Sequence, residues 1–406
     1  MKKLLALALA VVTASAMVAC TSTPEETTTG APTTTPTPVV TTKKPETPKT
    51  EPPATEPAGP VAETPATGLA IVDIFAKGKN LQTLVTDVAA TGATFWGDGA
   101  AVNAFDGNTT GTKIGGGDIA GTVDITWKTS APTTINAYVV YTGGDSADYG
   151  RLPYSWEFSG SNDDGATWTV IDKVDISGVT KSNSTPFGYT VDTPAEYSSY
   201  KFVVTATSSD GTAANSNVLQ MNEIVLIGSG EGTTTETPAT GEAVDAILAG
   251  NNLTANVKDA ATGEGFGAWG DGAATNMFDG DTAGTKLGGN GNGPVYITWN
   301  TDVATTVKNY VIYTGGDDVD WGRTPQSWVL FGSTDGENWT IIDYVSESGM
   351  PNANATPFGF TVDAPAAYTS YTLVVMTALG TDGNKYVPGG LQMNEFVLIG
   401  DAAAAE

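Results

Sequence analysis

Histidine is absent from this 406-residue sequence, cysteine occurs once, and 18 lysines and arginines stand against 45 aspartates and glutamates. Because imidazole is the usual general base and a common metal ligand, its absence excludes Ser-His-Asp and Cys-His catalysis and histidine-ligated zinc. A single cysteine excludes an intramolecular disulfide and CxxC metal sites. The formal net charge of −27 disfavours binding of nucleic acid and of anionic lipid headgroups.

Charged residues and long apolar runs are also scarce. Only 16% of the residues are charged, and no apolar run after the first twenty residues approaches transmembrane length. Glycine, in contrast, is abundant, with 49 residues. This composition is typical of an extracellular β-rich protein with many turns, and not of a helical bundle or a coiled coil.

The start of the chain carries the features of an export signal. A positively charged start precedes an apolar run at residues 4–18, which is shorter than a comfortable transmembrane anchor. The run ends in Met17-Val-Ala-Cys20, which resembles the lipobox of bacterial lipoprotein precursors. The resemblance implies a signal peptide at residues 1–19, a diacylated Cys20, and attachment to the bacterial cell surface through this lipid alone. The alternative is an ordinary secretory signal with an incidental cysteine.

Residues 21 to about 66 consist almost wholly of Thr, Pro, Glu, Lys and Ala. Such a composition buries too little apolar surface to offset chain entropy, so we expect residues 20–67 to form a disordered stalk. With the stiffness of polyproline II, at about 3.1 Å per residue, the reach of the stalk is on the order of 140 Å. A shorter stretch of similar composition predicts a linker at residues 230–239.

The rest of the sequence is a tandem duplication. The run Asn103-Ala-Phe-Asp-Gly-Asn108 returns as Asn276-Met-Phe-Asp-Gly-Asp281, at an offset of 173. Further motifs that begin at Tyr138 and Leu219 return 172 residues later. A repeat of this length is a whole domain, because solenoid units run about 20–50 residues.

The two predicted domains, residues 68–229 (copy 1) and 240–401 (copy 2), are followed by a short tail at 402–406. Runs such as Val123-Asp-Ile-Thr-Trp127 alternate apolar and polar residues, the period of a half-buried strand. Gly/Asp/Asn clusters between such runs predict turns, and Gly115-Gly-Gly117 is also predicted to be a turn. The predicted core tryptophans are Trp127, Trp156, Trp168 and their repeats. The fold class is therefore all-β, with two jelly-roll β-sandwich domains in tandem.

Three separated motifs give these domains a specific resemblance. They are Asn103-Ala-Phe-Asp-Gly-Asn108, then Ser155-Trp156 leading to Trp168, then Leu219-Gln-Met-Asn-Glu223 before a final apolar strand. Found twice in this order, they resemble the coagulation factor V/VIII type C (discoidin) domain, a superfamily whose bacterial members include carbohydrate-binding module family 32. The resemblance implies a galactose-binding-like jelly roll. The absence of histidine argues against the galactose-selective members, which often contact the sugar through imidazole.

The resemblance also implies one structural Ca²⁺ in each domain, and carboxylate, carbonyl and hydroxyl oxygens are the ligands that Ca²⁺ prefers. The implied ligands in copy 1 are the side chains of Asp106, Thr112 and Glu223 and backbone oxygens near Asn103, Asn108 and Asn222. The equivalent positions in copy 2 are Asn276, Asp279, Asp281, Thr285, Asn394 and Glu395. The sequence departs from the family after the threonine, where Lys113 and Lys286 stand and a tryptophan is usual nearby. The alternative is an ordinary Asp-Gly turn with a solvated glutamate.

A second constellation lies in a loop after a predicted strand, where sandwich domains carry binding residues. An exposed aromatic ring offers a flat face to a sugar, and arginine and aspartate offer donors and acceptors to its hydroxyls. The candidate ligand-binding residues of this loop are Asp145, Asp148, Tyr149 and Arg151 in copy 1, and Asp317, Asp320, Trp321 and Arg323 in copy 2. A separate loop offers a second aromatic-plus-acid pair, Trp96 with Asp98 in copy 1 and Trp269 with Asp271 in copy 2. The alternative is structural, with Arg151 pairing with an aspartate to pin the loop.

These features predict a non-catalytic surface lipoprotein that binds extracellular glycan or glycoprotein through two linked domains, which gain avidity from their linkage. The alternatives are a protein-binding adhesion module and a structural spacer of the cell envelope. Glycoside hydrolysis requires only two carboxylates, but the candidate acids lie in turns of small domains. No glycine-rich phosphate motif followed by lysine and a helix is visible in the sequence.

Overall fold

A computed structural model describes residues 60–233 and 235–403. The predicted signal peptide, the predicted lipidation site Cys20 and the stalk as far as residue 59 lie outside these residues. No helix in the described ranges combines the length and the apolar character needed to cross a membrane. The α-helices are α1 (Val72–Phe75), α2 (Ser146–Tyr149), α3 (Glu242–Leu248) and α4 (Asp318–Trp321), and short 3-10 helices cover Gly68–Ile71, Gln82–Leu84, Ala101–Phe105, Thr254–Asn256 and Ala274–Phe278.

Copy 1 folds into ten strands, all paired antiparallel. They are β1 (Lys79–Asn80), β2 (Val85–Thr91), β3 (Thr94–Phe95), β4 (Ile114–Gly117), β5 (Val123–Thr142), β6 (Leu152–Ser161), β7 (Thr169–Val174), β8 (Pro186–Thr190), β9 (Glu196–Ser208) and β10 (Leu219–Gly230). The main strand order is β3-β4-β10-β5-β9-β6-β7, with β1 beside β10 and with β2 and β8 beside β5.

Copy 2 repeats this topology. Its strands are β11 (Val257–Thr262), β12 (Phe266–Ala268), β13 (Leu287–Gly291), β14 (Val295–Thr314), β15 (Thr324–Ser333), β16 (Thr340–Val345), β17 (Pro357–Thr361), β18 (Ala367–Leu379), β19 (Lys385–Tyr386) and β20 (Leu391–Ala402). The order is β12-β13-β20-β14-β18-β15-β16, and β19 is an additional strand beside β18. The predicted all-β fold with two β-sandwich domains is confirmed.

The 20-residue strand β5 connects the two layers of its sandwich. Its first part pairs with β2 and β9, and its second part pairs with β8 and β10. The alternation of apolar and polar residues places Val123, Ile125 and Trp127 in the core at 0–1% exposure. Strand β14 has the same length and the same role in copy 2.

Buried hydrogen bonds organise the aromatic core of each copy. In copy 2 the Trp328 Nε1 donates to the Tyr310 hydroxyl at 2.8 Å, and this hydroxyl donates to Asp343 Oδ2 at 2.5 Å. Trp156, Tyr138 and Asp172 form the same chain in copy 1, at 2.8 and 2.6 Å. Burial raises the pKa of Asp172 to about 6.

Tyr310→Phe is expected to destabilise the protein by about 1–3 kcal/mol. The change leaves the Trp328 indole and the Asp343 carboxyl without their shared partner inside the core. Urea unfolding measures the loss. Tyr296→Phe is the matched control, because Tyr296 lies on the same strand and is only partly buried; equal losses for both changes would contradict the role of the hydrogen-bond chain.

The predicted core position is wrong for one pair of tryptophans. Trp127 and Trp156 are buried as expected, but Trp168 and its repeat Trp339 are only partly buried. Trp168 lies at the end of a turn, where the Lys201 ammonium stands 5.0 Å from its ring centroid. The period of two in the sequence does not distinguish a residue inside the sandwich from one on its outer face.

The last residues of the predicted stalk belong to the fold. Ala66 pairs with Gly188 of β8, and Ala239 of the predicted linker pairs with Gly359 of β17 in the same way. Both pairings use the same six-residue sequence, Glu-Thr-Pro-Ala-Thr-Gly, at residues 63–68 and 236–241. The duplicated unit therefore includes this segment, which composition alone assigned to disorder.

The two copies belong to one compact unit and contact each other through an apolar interface. Helix α1 of copy 1 supplies Ile74 and Phe75, and the outer face of β15 in copy 2 supplies Val329 and Phe331. The Phe75 ring centroid lies 4.1 Å from that of Tyr344. Ionic contacts flank the interface: Glu347 of copy 2 accepts Lys79 of copy 1, at 2.5 Å, and Lys385 of copy 2.

Candidate functional site

The candidate ligand loop of copy 1 leaves helix α2 through a constrained turn. Gly150 and Arg151 have φ of +70° and +66°, both in the left-handed region, and the repeats Gly322 and Arg323 have +75° and +87°. A β-carbon on Gly150 would lie 2.0 Å from the carbonyl oxygen of Ser209. Left-handed backbone at a non-glycine residue is uncommon and persists where surrounding contacts enforce it.

The guanidinium of Arg151 lies between two aromatic rings. It is 4.8 Å from the Trp96 ring centroid and 4.5 Å from that of Tyr149. Its Nη1 donates to Gln220 Oε1 at 2.7 Å and to Asp145 Oδ2 at 3.3 Å. Thus the structure joins the two separate candidate loops into one site, and Arg151 is the residue that connects them.

Copy 2 builds the same arrangement. Arg323 lies 4.4 Å from the Trp269 centroid and 5.5 Å from the Trp321 centroid. Its Nη1 donates to Gln392 Oε1 at 2.9 Å and stands 3.6 Å from Asp317 Oδ1. The outer rings remain open to solvent, with Tyr149 60% and Trp321 64% exposed. A half-buried cation and an open aromatic face therefore occur side by side in both copies.

Glycine in strand β4 makes room for the inner tryptophan. A β-carbon on Gly115 would lie 2.7 Å from the Trp96 ring, and one on Gly288 would lie 2.7 Å from the Trp269 ring. Each indole can therefore lie flat against bare backbone, with the arginine on its other face. The prediction of a turn at 115–117 is wrong, because these glycines lie in strand β4, where Trp96 occupies the space that a side chain on Gly115 would fill.

The predicted aspartates divide into three groups. Asp98 and Asp271 pair with Lys113 and Lys286 at 2.8 and 3.5 Å, and the Lys113 ammonium lowers the pKa of Asp98. Asp145 and Asp317 lie beside the arginines, which supports the expected loop-pinning pair. Asp148 and Asp320 are exposed on α2 and α4, and within the described residues their side chains make no hydrogen bond or ion pair with the site.

Copy 2 adds a cleft beside its arginine. This cleft, with a volume of about 350 Å³, is lined by Trp321, Arg323, Asn290 and the loop at 378–390. Strand β19 places Tyr386, 50% exposed, in its wall. The corresponding loop of copy 1, residues 209–218, contains no aromatic residue. Sequence reasoning missed Tyr386, Gln220 and Gln392, although a glutamine at the same place in both copies was a usable signal.

Two carboxylates meet at the predicted cation site of copy 1. Asp106 Oδ1 accepts the Thr112 hydroxyl and the Asn108 backbone N–H, both at 2.9 Å. Glu223 is fully buried, and burial together with the Asp106 charge raises its pKa to about 9. Its Oε1 accepts Gln82 Nε2, whereas its Oε2 has no partner among the described residues.

Copy 2 places the equivalent groups together. Asp279 accepts the Thr285 hydroxyl at 2.7 Å and the Asp281 backbone N–H at 2.8 Å. Glu395 Oε2 accepts the Gly280 backbone N–H at 3.1 Å, and burial raises the pKa of Glu395 to about 7.

The predicted asparagine ligands use their side chains elsewhere. Asn103 and Asn276 donate to the carbonyls of Lys113 and Lys286, and Asn222 and Asn394 donate to the carbonyls of Thr109 and Thr282. Only their backbone oxygens are therefore free to serve as ligands. In the part of the chain that the structure describes, no group of three or more acidic, histidine or cysteine side chains is arranged to hold a metal. A cation at either site would rely on hydroxyl and backbone oxygens beside the carboxylate pair.

Comparisons with known proteins find likeness at the level of structure. The sequence matches no protein-family model and no curated protein. An F-lectin (fucolectin) from striped bass (Morone saxatilis) serum is 12% identical over 80% of this chain and 99% of its own, with a TM-score of 0.30. The CBM32-1 and CBM32-2 domains of ZmpB from Clostridium perfringens, in complex with GalNAc, are 11% identical over 82% of this chain and 96% of theirs, with a TM-score of 0.32. The C-terminal domain of a chitobiase from Bacteroides fragilis is 19% identical over 37% of this chain and 98% of its own, with a TM-score of 0.30.

Proposed function

The two copies are similar to discoidin-type lectin and family 32 carbohydrate-binding domains, and we propose that this protein binds extracellular carbohydrate through the Arg–aromatic site of each copy. The observation that carries the proposal is the stack of Trp96, Arg151 and the solvent-exposed Tyr149, which copy 2 repeats with Trp269, Arg323 and Trp321.

The exposed ring and the arginine have separate tasks in this proposal. The open face of Tyr149 or Trp321 stacks on the apolar face of a sugar ring, since aromatic side chains bury large flat surfaces at low entropic cost. The guanidinium is fixed by the glutamine and by the inner indole, so its remaining N–H groups are oriented in advance to donate to sugar hydroxyls. Neutral sugars suit the site best, because the protein carries a formal charge of −27.

Copy 2 should be the stronger binder. Its cleft adds Tyr386 to the lining formed by Trp321 and Arg323, whereas the copy 1 loop offers no aromatic residue. Trp321→Ala is expected to lower the affinity of the tandem for glycan about tenfold or more, and Tyr149→Ala by much less. Calorimetric titration of the two variants checks the order, and a larger loss for Tyr149→Ala would contradict it.

A glycan array tests the function directly. The chain from residue 21 onward is labelled and applied beside the Tyr149→Ala/Trp321→Ala double variant. The proposal predicts signals on a related set of glycans that the double variant loses. If the parent protein binds no glycan but captures a protein from the same cell surface, the adhesion alternative replaces this proposal.

The proposal also includes lipid anchoring at Cys20. Its support is the lipobox-like run before the chain's single cysteine. The mature protein should carry a diacylglycerol on residue 20, detectable by mass, and Cys20→Ser should release it from the membrane fraction. The lipid anchor would be contradicted if the Cys20→Ser protein stayed in the membrane fraction and the parent protein carried no lipid by mass.

We further propose Ca²⁺ as a structural cofactor of both copies. The donor set fits, because each site pairs two carboxylates with a hydroxyl, and Glu223 leaves a buried oxygen without a partner. Bound Ca²⁺ would neutralise the mutual repulsion of Asp106 and Glu223.

Chelation with EDTA is therefore expected to lower the melting temperature by several degrees through mass action. Scanning calorimetry with and without added Ca²⁺ measures the shift, and Asp106→Ala should reproduce most of the loss in copy 1. An unchanged melting curve, with no metal detected in the purified protein, would contradict the cation site and support the alternative of an ordinary Asp-Gly turn.

A further inference from the structure

The predicted cation site of copy 1 lines a cavity between the two copies. The cavity measures about 340 Å³. Copy 1 contributes Asp106 and Glu223 to its lining, and copy 2 contributes Asp343 and Asp363. All the charged residues that line it are acidic. The Asp343 carboxyl accepts the Tyr310 hydroxyl in the core of copy 2, whereas Asp106, Glu223 and Asp363 border the cavity, and a positively charged occupant complements them.

The wall of this cavity holds polar atoms that lack partners. Glu223 is 0% exposed, yet its Oε2 accepts no hydrogen bond from any described residue. The Tyr344 hydroxyl, in the opposite wall, is also buried without a partner. An unsatisfied buried polar group costs about 1–3 kcal/mol, so native structures rarely leave such a group without a compensating contact.

The two cation sites differ in this respect. In copy 2 the Glu395 Oε2 accepts the Gly280 N–H, and neither Glu395 nor Asp279 belongs to the lining of the interdomain cavity. Among the described residues, the unpartnered oxygen of Glu223 thus lies at the site that faces the interface.

The docking face is likewise present in one copy only. In copy 2 Val329 pairs across the strands with Tyr344, and both belong to the interface cluster. In the same register of copy 1 Glu157 pairs with Lys173, a polar pair. Phe331, which is fully buried at the interface, has Ser159 as its equivalent. The two copies have diverged where they contact each other, which indicates a specific interface.

We propose that a divalent cation held by Asp106 and Glu223 acts as an interdomain latch, so that Ca²⁺ binding in copy 1 and docking of copy 2 strengthen each other. This proposal rests on the cation site proposed above. It adds that cation binding at this site and docking of the two copies are coupled. Without the cation, docking covers the Asp106 and Glu223 carboxyl groups with the wall of copy 2 and leaves the buried Glu223 oxygen without a partner, which disfavours docking. With the cation, their charge is compensated and the apolar contact of Phe75 with copy 2 closes the cavity.

Thermodynamic linkage is reciprocal, so the factor by which Ca²⁺ binding strengthens docking equals the factor by which docking strengthens Ca²⁺ binding. The coupling can therefore be measured through the Ca²⁺ affinity. The Asp279→Asn variant removes the copy 2 site and leaves one site to titrate. In that background, Val329→Thr/Phe331→Ser weakens the interface without changing charge and introduces at position 331 the serine of copy 1. Calorimetric titration with Ca²⁺ should show at least a tenfold weaker affinity, although Asp106 and Glu223 are untouched.

Small-angle X-ray scattering of the chain from residue 21 onward supplies a second readout that does not depend on the interface variant. The radius of gyration should increase on chelation. Asp106→Asn should give the same increase with Ca²⁺ present, whereas Asp279→Asn, the matched change in copy 2, should not.

The outcomes separate the latch from the cation site. Equal Ca²⁺ affinities for the parent and the interface variant, with equal dimensions with and without Ca²⁺, would overturn the latch and leave an independent structural cation site. Absence of Ca²⁺ binding to the parent chain would overturn both.

Discussion

Glycan binding is expected to fall by about a hundredfold when Arg151 and Arg323 are both replaced by alanine. Each arginine supplies charge-assisted hydrogen bonds, worth about 1.5–3 kcal/mol, and also supports the outer aromatic ring from behind. The change also leaves Gln220 and Gln392 without their donor, so a loss of stability of about 1–3 kcal/mol accompanies it. Titration with the best ligand of the array and thermal unfolding measure the two effects separately.

Lys113→Ala/Lys286→Ala is the matched control for the arginine pair. These lysines are the other cations of the same region, and they pair with Asp98 and Asp271 in place of stacking on the rings. The control should bind glycan nearly as well as the parent protein. If the arginine variant keeps its affinity while Trp96→Ala/Trp269→Ala loses it, the arginines only pin the loop and the inner tryptophans form the binding face.

The second large effect concerns pH. Asp318 is fully buried in the copy 2 loop, and burial raises its pKa from 3.8 to about 7. The unfolded carboxyl ionises near pH 4, whereas the folded one keeps its proton until about pH 7. Its contribution to stability is therefore complete below pH 3.8 and is lost as the pH rises through 7. At about 1.4 kcal/mol per unit, the loss is on the order of 4 kcal/mol.

Copy 1 supplies the control for this prediction, because Ser146 occupies the position of Asp318 and is equally buried. The Asp318→Ser variant should lose the corresponding part of the pH dependence between pH 4 and 8 in urea unfolding. Other acids with raised pKa, such as Asp172, remain in both proteins and cancel in the difference. Identical slopes for the two proteins would show that Asp318 is ionised in the folded state.

The strands and the duplication could be predicted because they are local or self-similar signals. The alternation in Val123–Trp127 and the repeated motifs define the two sandwiches directly. The positions of Trp168 and of the glycines at 115–117 could not be predicted. Whether Trp168 is buried, and which ring packs against Gly115, both depend on residues distant in the sequence.

The site was only half visible in the sequence. Tyr149 and Arg151 are close in the chain, so their loop could be recognised as a candidate. Trp96 precedes Arg151 by 55 residues, and Gln220 follows it by 69. Only the pairing of β4 with β10 brings these elements together at one end of the sandwich. Tyr386 has no counterpart in copy 1, so the repeat gave no reason to select it.

A crystal structure of the chain from residue 21 onward, bound to its best array ligand, tests the central claim most directly. We expect a sugar ring against the open face of Trp321, with hydroxyls accepting from Arg323 and with Tyr386 lining the same cleft. A sugar bound away from both the Arg151 and the Arg323 sites would contradict it.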